Sequence, residues 1–169
     1  SFVLTEENRH RTEAFLQLKG LMRDHYLCVM PASRWHSKEW GISGYFKVIS
    51  DLSASGIPIV LLGRSSDEAC TVLSKLLIEA HIPFVSLLDE PDFTFTASVL
   101  AHAHAYLGGD TGLAHLAEAV GTRAWVIFGP TRPELGFGPW KHQSASIYYD
   151  VNCSPCSKDG RTCYRFWEP

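Results

Sequence analysis

The sequence predicts an α/β fold, a Rossmann-like doubly wound sheet of about six mostly parallel strands with helices on both faces. Short apolar runs alternate with helical segments of roughly 10 to 16 residues, the pattern of successive βαβ units. The runs are continuously apolar, which is typical of strands buried on both faces. The 169 residues, 46% of them hydrophobic and 20% charged, suffice for one domain with its own core.

The elements follow in order along the chain. Thr5 caps a first helix over 5–20, where we expect Phe15 and Leu18 to face the core. A capping box from Ser65 to Glu68 opens the third helix. The predicted helices cover 5–20, 42–53, 65–80, 92–104 and 111–120. The predicted strands cover 26–30, 58–63, 84–88, 105–107, 125–128 and 146–149.

The stretch 105–130 combines a strand, a glycine turn, a helix and a second strand. Gly108-Gly109 is the expected turn, and Asp110 or Thr111 caps the helix. Thr111 and His115 are four residues apart and share a helix face. Free N–H groups, a hydroxyl and an imidazole at the positive end of a helix favour an anion such as phosphate. A tight βα turn beside an ordinary histidine is the alternative.

The loops that follow the predicted strands meet at one edge of such a sheet. Ser33–Lys38, Gly63-Arg64, Asp89-Glu90 and Gly109–Thr111 all stand at strand ends, where doubly wound folds bind ligands. Lys38 can pair with a diphosphate as a mobile point charge, although a solvated surface lysine has the same appearance in a sequence.

Two motifs give this pattern a family resemblance. Asp110-Thr111-Gly112-x-x-His115 is followed by Leu-Ala-x-Ala and by the segment Phe-Gly-Pro-Thr at 128–131. Pro31-Ala32-Ser33 precedes Lys38-x-Trp40. Together these motifs resemble the heptosyltransferases of glycosyltransferase family 9.

The resemblance implies the C-terminal, donor-binding domain of a two-domain GT-B enzyme. Residues 1–169 would form this single domain, with 1–20 a helix that follows the interdomain linker and 150–169 a cysteine-containing tail. The N-terminal acceptor domain, with the general base, would be absent from this chain. The implied reaction is inverting and metal-independent. It transfers a sugar from a nucleoside-diphosphate donor to a lipopolysaccharide core or related glycan. Heptose is the expected sugar and ADP the expected nucleotide.

The resemblance also assigns residues. Lys38 would stabilise the leaving phosphate, and the donor would meet Ser33, Lys38, Asp110, Thr111, Gly112 and His115. The family's Gly-Lys segment after the third strand is replaced here by Asp89-Glu90-Pro91, and Gly109 replaces an Asn. Asp89 or Glu90 could accept hydrogen bonds from ribose hydroxyls or be a solvated loop acid. The base and the sugar therefore stay open.

Composition limits the remaining functions. A net charge of −3 gives no electrostatic footprint for nucleic acid, and no apolar run reaches the roughly 20 residues of a membrane helix. We expect a bacterial cytoplasmic protein without a cofactor, with peripheral association at the inner face of the inner membrane left open. Cys153, Cys156 and Cys163 are compatible with free thiols, a disulfide, or a metal site completed by His142.

Two other functions compete with the donor-binding domain. One is a different GT-B nucleotide-sugar enzyme of the epimerase type, and the other is a non-catalytic Rossmann-like binding module. A nicotinamide oxidoreductase is disfavoured because no G-x-G-x-x-G follows a predicted strand.

Overall fold

The computed structural model describes residues 4–161, which contain five helices and a six-stranded sheet. The helices are α1 (Glu6–Leu18), α2 (Ile42–Ala54), α3 (Glu68–Glu79), α4 (Phe93–Ala101) and α5 (Gly112–Ala119). The strands are β1 (Leu27–Met30), β2 (Ile59–Gly63), β3 (Val85–Leu88), β4 (Ala105–Gly109), β5 (Arg123–Ile127) and β6 (Ala145–Ile147). Two short 3-10 turns lie at His36–Lys38 and Pro133–Leu135.

The sheet confirms the doubly wound fold. Its strand order is β3-β2-β1-β4-β5-β6, and every pairing is parallel. The chain moves outward from β1 to β3, returns to β4 beside β1, and then moves outward in the other direction. The carboxyl ends of β1 and β4 therefore form the topological switch point, where sheets of this order have a crevice for ligands.

Two apolar cores cover the two faces of the sheet. On one face α1, α4 and α5 pack through residues such as Leu16, Leu100 and Leu116. On the other face α2 and α3 pack through Ile49 and Leu73, both 0% exposed. This burial explains why the strand sequences are continuously apolar. In the described part of the chain no helix is long and apolar enough to cross a membrane.

Helix α1 confirms the predicted cap but corrects its predicted buried face. The Thr5 hydroxyl accepts the backbone N–H of Asn8 at 3.3 Å. Phe15 packs edge-on against Phe95, with ring centroids 5.5 Å apart, whereas Leu18 is 80% exposed and Leu16 is buried in its place. The stripe that docks on α4 runs through Asn8, Thr12 and Leu16, so it includes polar positions that an apolar pattern overlooks.

Two predicted turns also differ in the structure. Asp67, not Ser65, occupies the N-cap of α3, and it makes no side-chain cap bond. The Ser65 N–H donates to Asp89 Oδ1 at 3.0 Å, in the turn before the helix. Gly108 and Gly109 are the last residues of β4 rather than a turn. A side chain at Gly108 would place its Cβ 2.9 Å from the Met30 carbonyl oxygen, so glycine permits the close pairing of β1 and β4.

Candidate functional site

A cavity of about 300 Å³ opens at the switch point between β1 and β4. The loops after these two strands contribute most of its wall, and the tail of the described chain closes one side. The lining residues are Ser33, Arg34, Trp35, Lys38, Asp110, Thr111, Gly112, Phe137 and Asp159. The structure thus brings together five of the residues singled out in the sequence, although 72 positions separate Lys38 from Asp110.

A desolvated ion pair forms the floor of this cavity. The Lys38 ammonium donates to Asp110 Oδ2 at 2.5 Å, and the two side chains are 12% and 4% exposed. The Thr131 hydroxyl donates to the same oxygen at 3.0 Å. An ammonium has three donors, so Lys38 can keep this contact and still bind a second anion. The Phe137 ring centroid lies 5.8 Å from the ammonium.

The N-terminus of α5 faces the same cavity without a side-chain cap. Thr111 occupies the N-cap, but its side chain accepts no cap hydrogen bond. Its hydroxyl lies 3.2 Å from the Tyr106 hydroxyl instead, and burial raises the pKa of Tyr106, which therefore stays a neutral hydroxyl. A Cβ on Gly112 would meet nothing within 4 Å. The Ala114 N–H donates to the Thr111 carbonyl at 3.1 Å, so among the described residues the N–H groups of Gly112 and Leu113 are left for an external acceptor.

Glu39 holds the loop that carries Ser33 and Lys38. Its Oε1 accepts the Ser33 backbone N–H at 3.1 Å, and its Oε2 lies 2.7 Å from His36 Nδ1. The Glu39 carboxylate therefore connects the start of the loop, at Ser33, with its short 3-10 turn, at His36. The loop's indole, Trp35, lies near the guanidinium groups of Arg34 and Arg161, at 5.2 and 4.7 Å from the ring centroid.

Asp89 and Glu90 line a second, larger cavity of about 550 Å³ at the ends of β2 and β3. Arg11 donates to both carboxylate oxygens of Glu90 at 3.1 Å. The hydrogen bonds from Ser65, foremost that of its side chain, lower the pKa of Asp89. Leu113 lines this larger cavity, and the preceding residue, Gly112, lines the smaller one. The two cavities therefore flank the N-terminus of α5.

The remaining sequence candidates lie apart from these cavities. His115 is exposed and is not a lining residue of either cavity. Among residues 4–161 no three metal-ligating side chains come together. Cys153 is exposed, and Cys163 lies outside the described residues, so the state of the three tail cysteines stays a prediction.

Three residues of the site escaped the sequence reasoning. Thr131 ends the Phe-Gly-Pro-Thr segment that follows β5; this motif and the strand end were the available signals, but neither assigned Thr131 a contact. Phe137 and Asp159 carry no motif and reach the cavity through the course of the chain after β5. Only a folded structure brings such residues to the site.

Fold and site together define a Rossmann-like α/β domain with a cation and a helix N-terminus at its switch point. This is the arrangement by which doubly wound domains hold the phosphates of nucleotides. The chain belongs to glycosyltransferase family 9 (heptosyltransferase), whose family model matches residues 1–165.

Among curated proteins, the chain is 31% identical to lipopolysaccharide heptosyltransferase 1 of Pseudomonas aeruginosa over 142 residues, covering 82% of this chain and 37% of that protein. It is 29% identical to lipopolysaccharide heptosyltransferase 3 of Escherichia coli over 120 residues, covering 70% of this chain and 35% of that protein. The chain therefore spans little more than a third of the length of these relatives.

Solved structures share the fold of this chain. Escherichia coli ADP-heptose lps heptosyltransferase II superposes with a TM-score of 0.70 at 20% identity, covering 92% of this chain and 50% of that one. Escherichia coli heptosyltransferase WaaC with ADP superposes with a TM-score of 0.67 at 26% identity, covering 82% of this chain and 42% of that one.

Proposed function

We propose that this chain is the donor-binding domain of an inverting glycosyltransferase that uses an ADP-linked heptose. The acceptor would be a lipopolysaccharide core or a related glycan, held by a separate N-terminal domain that also supplies the general base. The observation that carries the proposal is the Lys38 ammonium beside the uncapped N-terminus of α5 at the switch point. Membership of family 9 supports the reaction class.

The two cavities suit the two ends of a nucleoside diphosphate. The smaller cavity has the cation and the free N–H groups that a diphosphate requires. The larger cavity, with Met30, Leu62 and Leu113 on its wall, offers apolar surface for a base and lies on the other side of the same helix end. The structure of WaaC with ADP, at 26% identity, supports ADP as the nucleotide.

The chemistry that this site would perform is stabilisation of a leaving group. As the acceptor hydroxyl attacks, the bond between the anomeric carbon and the diphosphate breaks, the carbon inverts, and negative charge grows on the departing nucleoside diphosphate. Lys38 and the first N–H groups of α5 oppose that charge from fixed positions. These protein donors would fulfil the role of a metal ion. We propose a bacterial cytoplasmic location, and the bacterial origin of the matched relatives supports the first part of this proposal.

Calorimetry tests the binding function on the chain as it stands. ADP, GDP and UDP are titrated separately into the protein in the presence of a chelator, and we expect ADP to bind without added metal. If all three fail to bind at millimolar concentration, the donor-domain proposal is wrong and a non-catalytic module becomes the better explanation. If UDP or GDP binds and ADP does not, a different nucleotide-sugar enzyme is indicated.

The catalytic role of Lys38 requires a protein that includes the acceptor domain. Because the contact strengthens as charge develops, Lys38→Ala should lower kcat by roughly ten- to a thousand-fold. The KM for the donor should change less, since a contact made mainly in the transition state affects turnover more than binding. Steady-state kinetics measures both constants. An unchanged kcat with a raised KM would contradict the assignment and leave Lys38 as a ground-state ligand only.

A further inference from the structure

The tail of the described chain packs directly against the side chain of Lys38. Gly160 lies over the methylene groups of this lysine. A Cβ at Gly160 would approach the Lys38 Cγ and Cδ atoms and the Thr131 Cγ2 atom to 3.0 Å. The Ser37 hydroxyl donates to the Gly160 carbonyl oxygen, which ties the tail to the residue before the lysine. The tail and the lysine therefore share one closely packed contact.

The path of the tail is fixed by hydrogen bonds to the loop after β5. The Cys156 N–H donates to the Pro130 carbonyl at 2.8 Å, and the Ser154 hydroxyl donates to the Gly129 carbonyl at 3.2 Å. The Gly160 N–H donates to the Ser157 hydroxyl at 2.9 Å. These bonds hold the turn 157–160 in place, so the glycine is presented to Lys38 by a supported segment.

We propose that the tail segment 157–161 is a positioning element for Lys38 and acts through Gly160. This inference rests on the proposed donor site. A lysine side chain has four flexible bonds, and its freedom must be lost when it binds a phosphate. Close packing of Gly160 against the methylene chain, beside the Thr131 methyl group, confines that chain before the ligand arrives. The ammonium is then already directed at Asp110 and at the cavity, which is the preorganisation that charge stabilisation requires.

Two features favour glycine at position 160: the close approach of Lys38 and a positive φ angle. A second glycine of the chain, Gly20, serves as a control that separates these two effects. Gly160 has φ +70°, and Gly20 has φ +65° with nothing within 4 Å of its ideal Cβ. Gly160→Ala and Gly20→Ala thus impose the same backbone strain, but only the first inserts a methyl group beside Lys38. Ser37→Ala is a second test variant, because it removes the tie to the tail without strain in a left-handed turn.

Acetylation of lysines, followed by mass spectrometry, measures the position of Lys38 in the free protein. Lys47, 78% exposed, is the internal reference. In the wild type and in Gly20→Ala, we expect Lys38 to react more slowly than Lys47. In Gly160→Ala the rate at Lys38 should rise several-fold towards that of Lys47, and Ser37→Ala should give a smaller rise. Equal ratios of the two rates in Gly160→Ala and Gly20→Ala would overturn the proposal.

ADP titration adds a functional readout. Gly160→Ala should weaken ADP binding by roughly ten-fold, the lower end of the loss of one charge-assisted hydrogen bond, while Gly20→Ala leaves it unchanged. Unchanged ADP affinity in Gly160→Ala would also overturn the proposal. If the wild type binds no nucleotide, the proposed donor site fails, whereas the acetylation ratios still decide whether the tail positions the lysine.

Discussion

The ion pair between Lys38 and Asp110 predicts that folding stability and ADP binding respond differently when one or both of its charges are removed. Lys38→Met keeps most of the aliphatic stem and leaves the Asp110 carboxylate, 4% exposed, with Thr131 as its remaining side-chain donor. Removing one partner of a fully buried pair costs about 3–5 kcal/mol. Lys38 is 12% exposed at the cavity, which gives water some access, so we expect a loss of about 2–3 kcal/mol in unfolding free energy.

The double variant Lys38→Met, Asp110→Asn separates the two roles. It removes both charges, and the new amide oxygen can still accept the Thr131 hydroxyl. Replacing both members of a buried pair is often neutral, so the unfolding free energy should return to within about 1 kcal/mol of the wild type. ADP affinity should stay reduced by roughly ten- to a hundred-fold, because the charge that met the phosphate is still absent.

Urea denaturation and calorimetry supply the two measurements. Lys47→Met is the matched control, since Lys47 pairs with Asp51 at 3.1 Å on the exposed surface of α2 and should lose no more than about 0.5 kcal/mol. If Lys38→Met is as stable as this control, the ion pair is not desolvated as the geometry implies. If the double variant binds ADP as tightly as the wild type, Lys38 is not a phosphate ligand.

Three further predictions follow from particular contacts. Gly112→Ala should keep or slightly raise thermal stability, because its Cβ meets open space on a helix, yet weaken ADP binding in calorimetry by crowding the phosphate. Leu16→Ala should cost about 2–5 kcal/mol in urea denaturation, whereas Leu18→Ala, at an 80% exposed position, should cost almost nothing. Hydrogen bonds to Asp92, chiefly from the Thr94 hydroxyl, lower its pKa. Its contribution to stability is therefore present above about pH 4 and is lost as pH falls through the lowered value, so the stability difference between wild type and Asp92→Ala should shrink in acid.

The fold was predictable because its main signals are local. Continuous apolar runs separated by helical segments are visible in the sequence, and five helices and six strands follow from them. The buried face of α1 was not predictable in the same way. The helix docks on α4 through Asn8 and Thr12, and the Asn8 amide reaches Thr94 at 2.8 Å, so polar complementarity outweighs the apolar pattern that pointed to Leu18.

The site was predictable only in part, for a topological reason. Strand-end loops must share one edge of a parallel sheet, which predicts that Lys38 and Asp110 lie on the same rim. Their direct contact also requires β1 and β4 to be neighbours, and the strand order is a property of the whole fold. The approach of Gly160 to the lysine, over 122 residues of chain, depends on the path of the tail and has no local sequence signal.

The presence of a buried acid beside the proposed phosphate site is explained by what it does to the lysine. An unpaired carboxylate there would repel a phosphate, so Asp110 is compatible with the site only while Lys38 lies between it and the ligand. Buried ion pairs are weak stabilisers once desolvation is counted, which makes folding stability a poor reason for the pair. A fixed ammonium, by contrast, needs no reorganisation when charge develops on a leaving group. Asp110, which also accepts the Thr131 hydroxyl, holds the charged end of Lys38. Gly160 confines its stem, and Lys38 lines the same cavity as Thr111 and Gly112 at the N-terminus of α5.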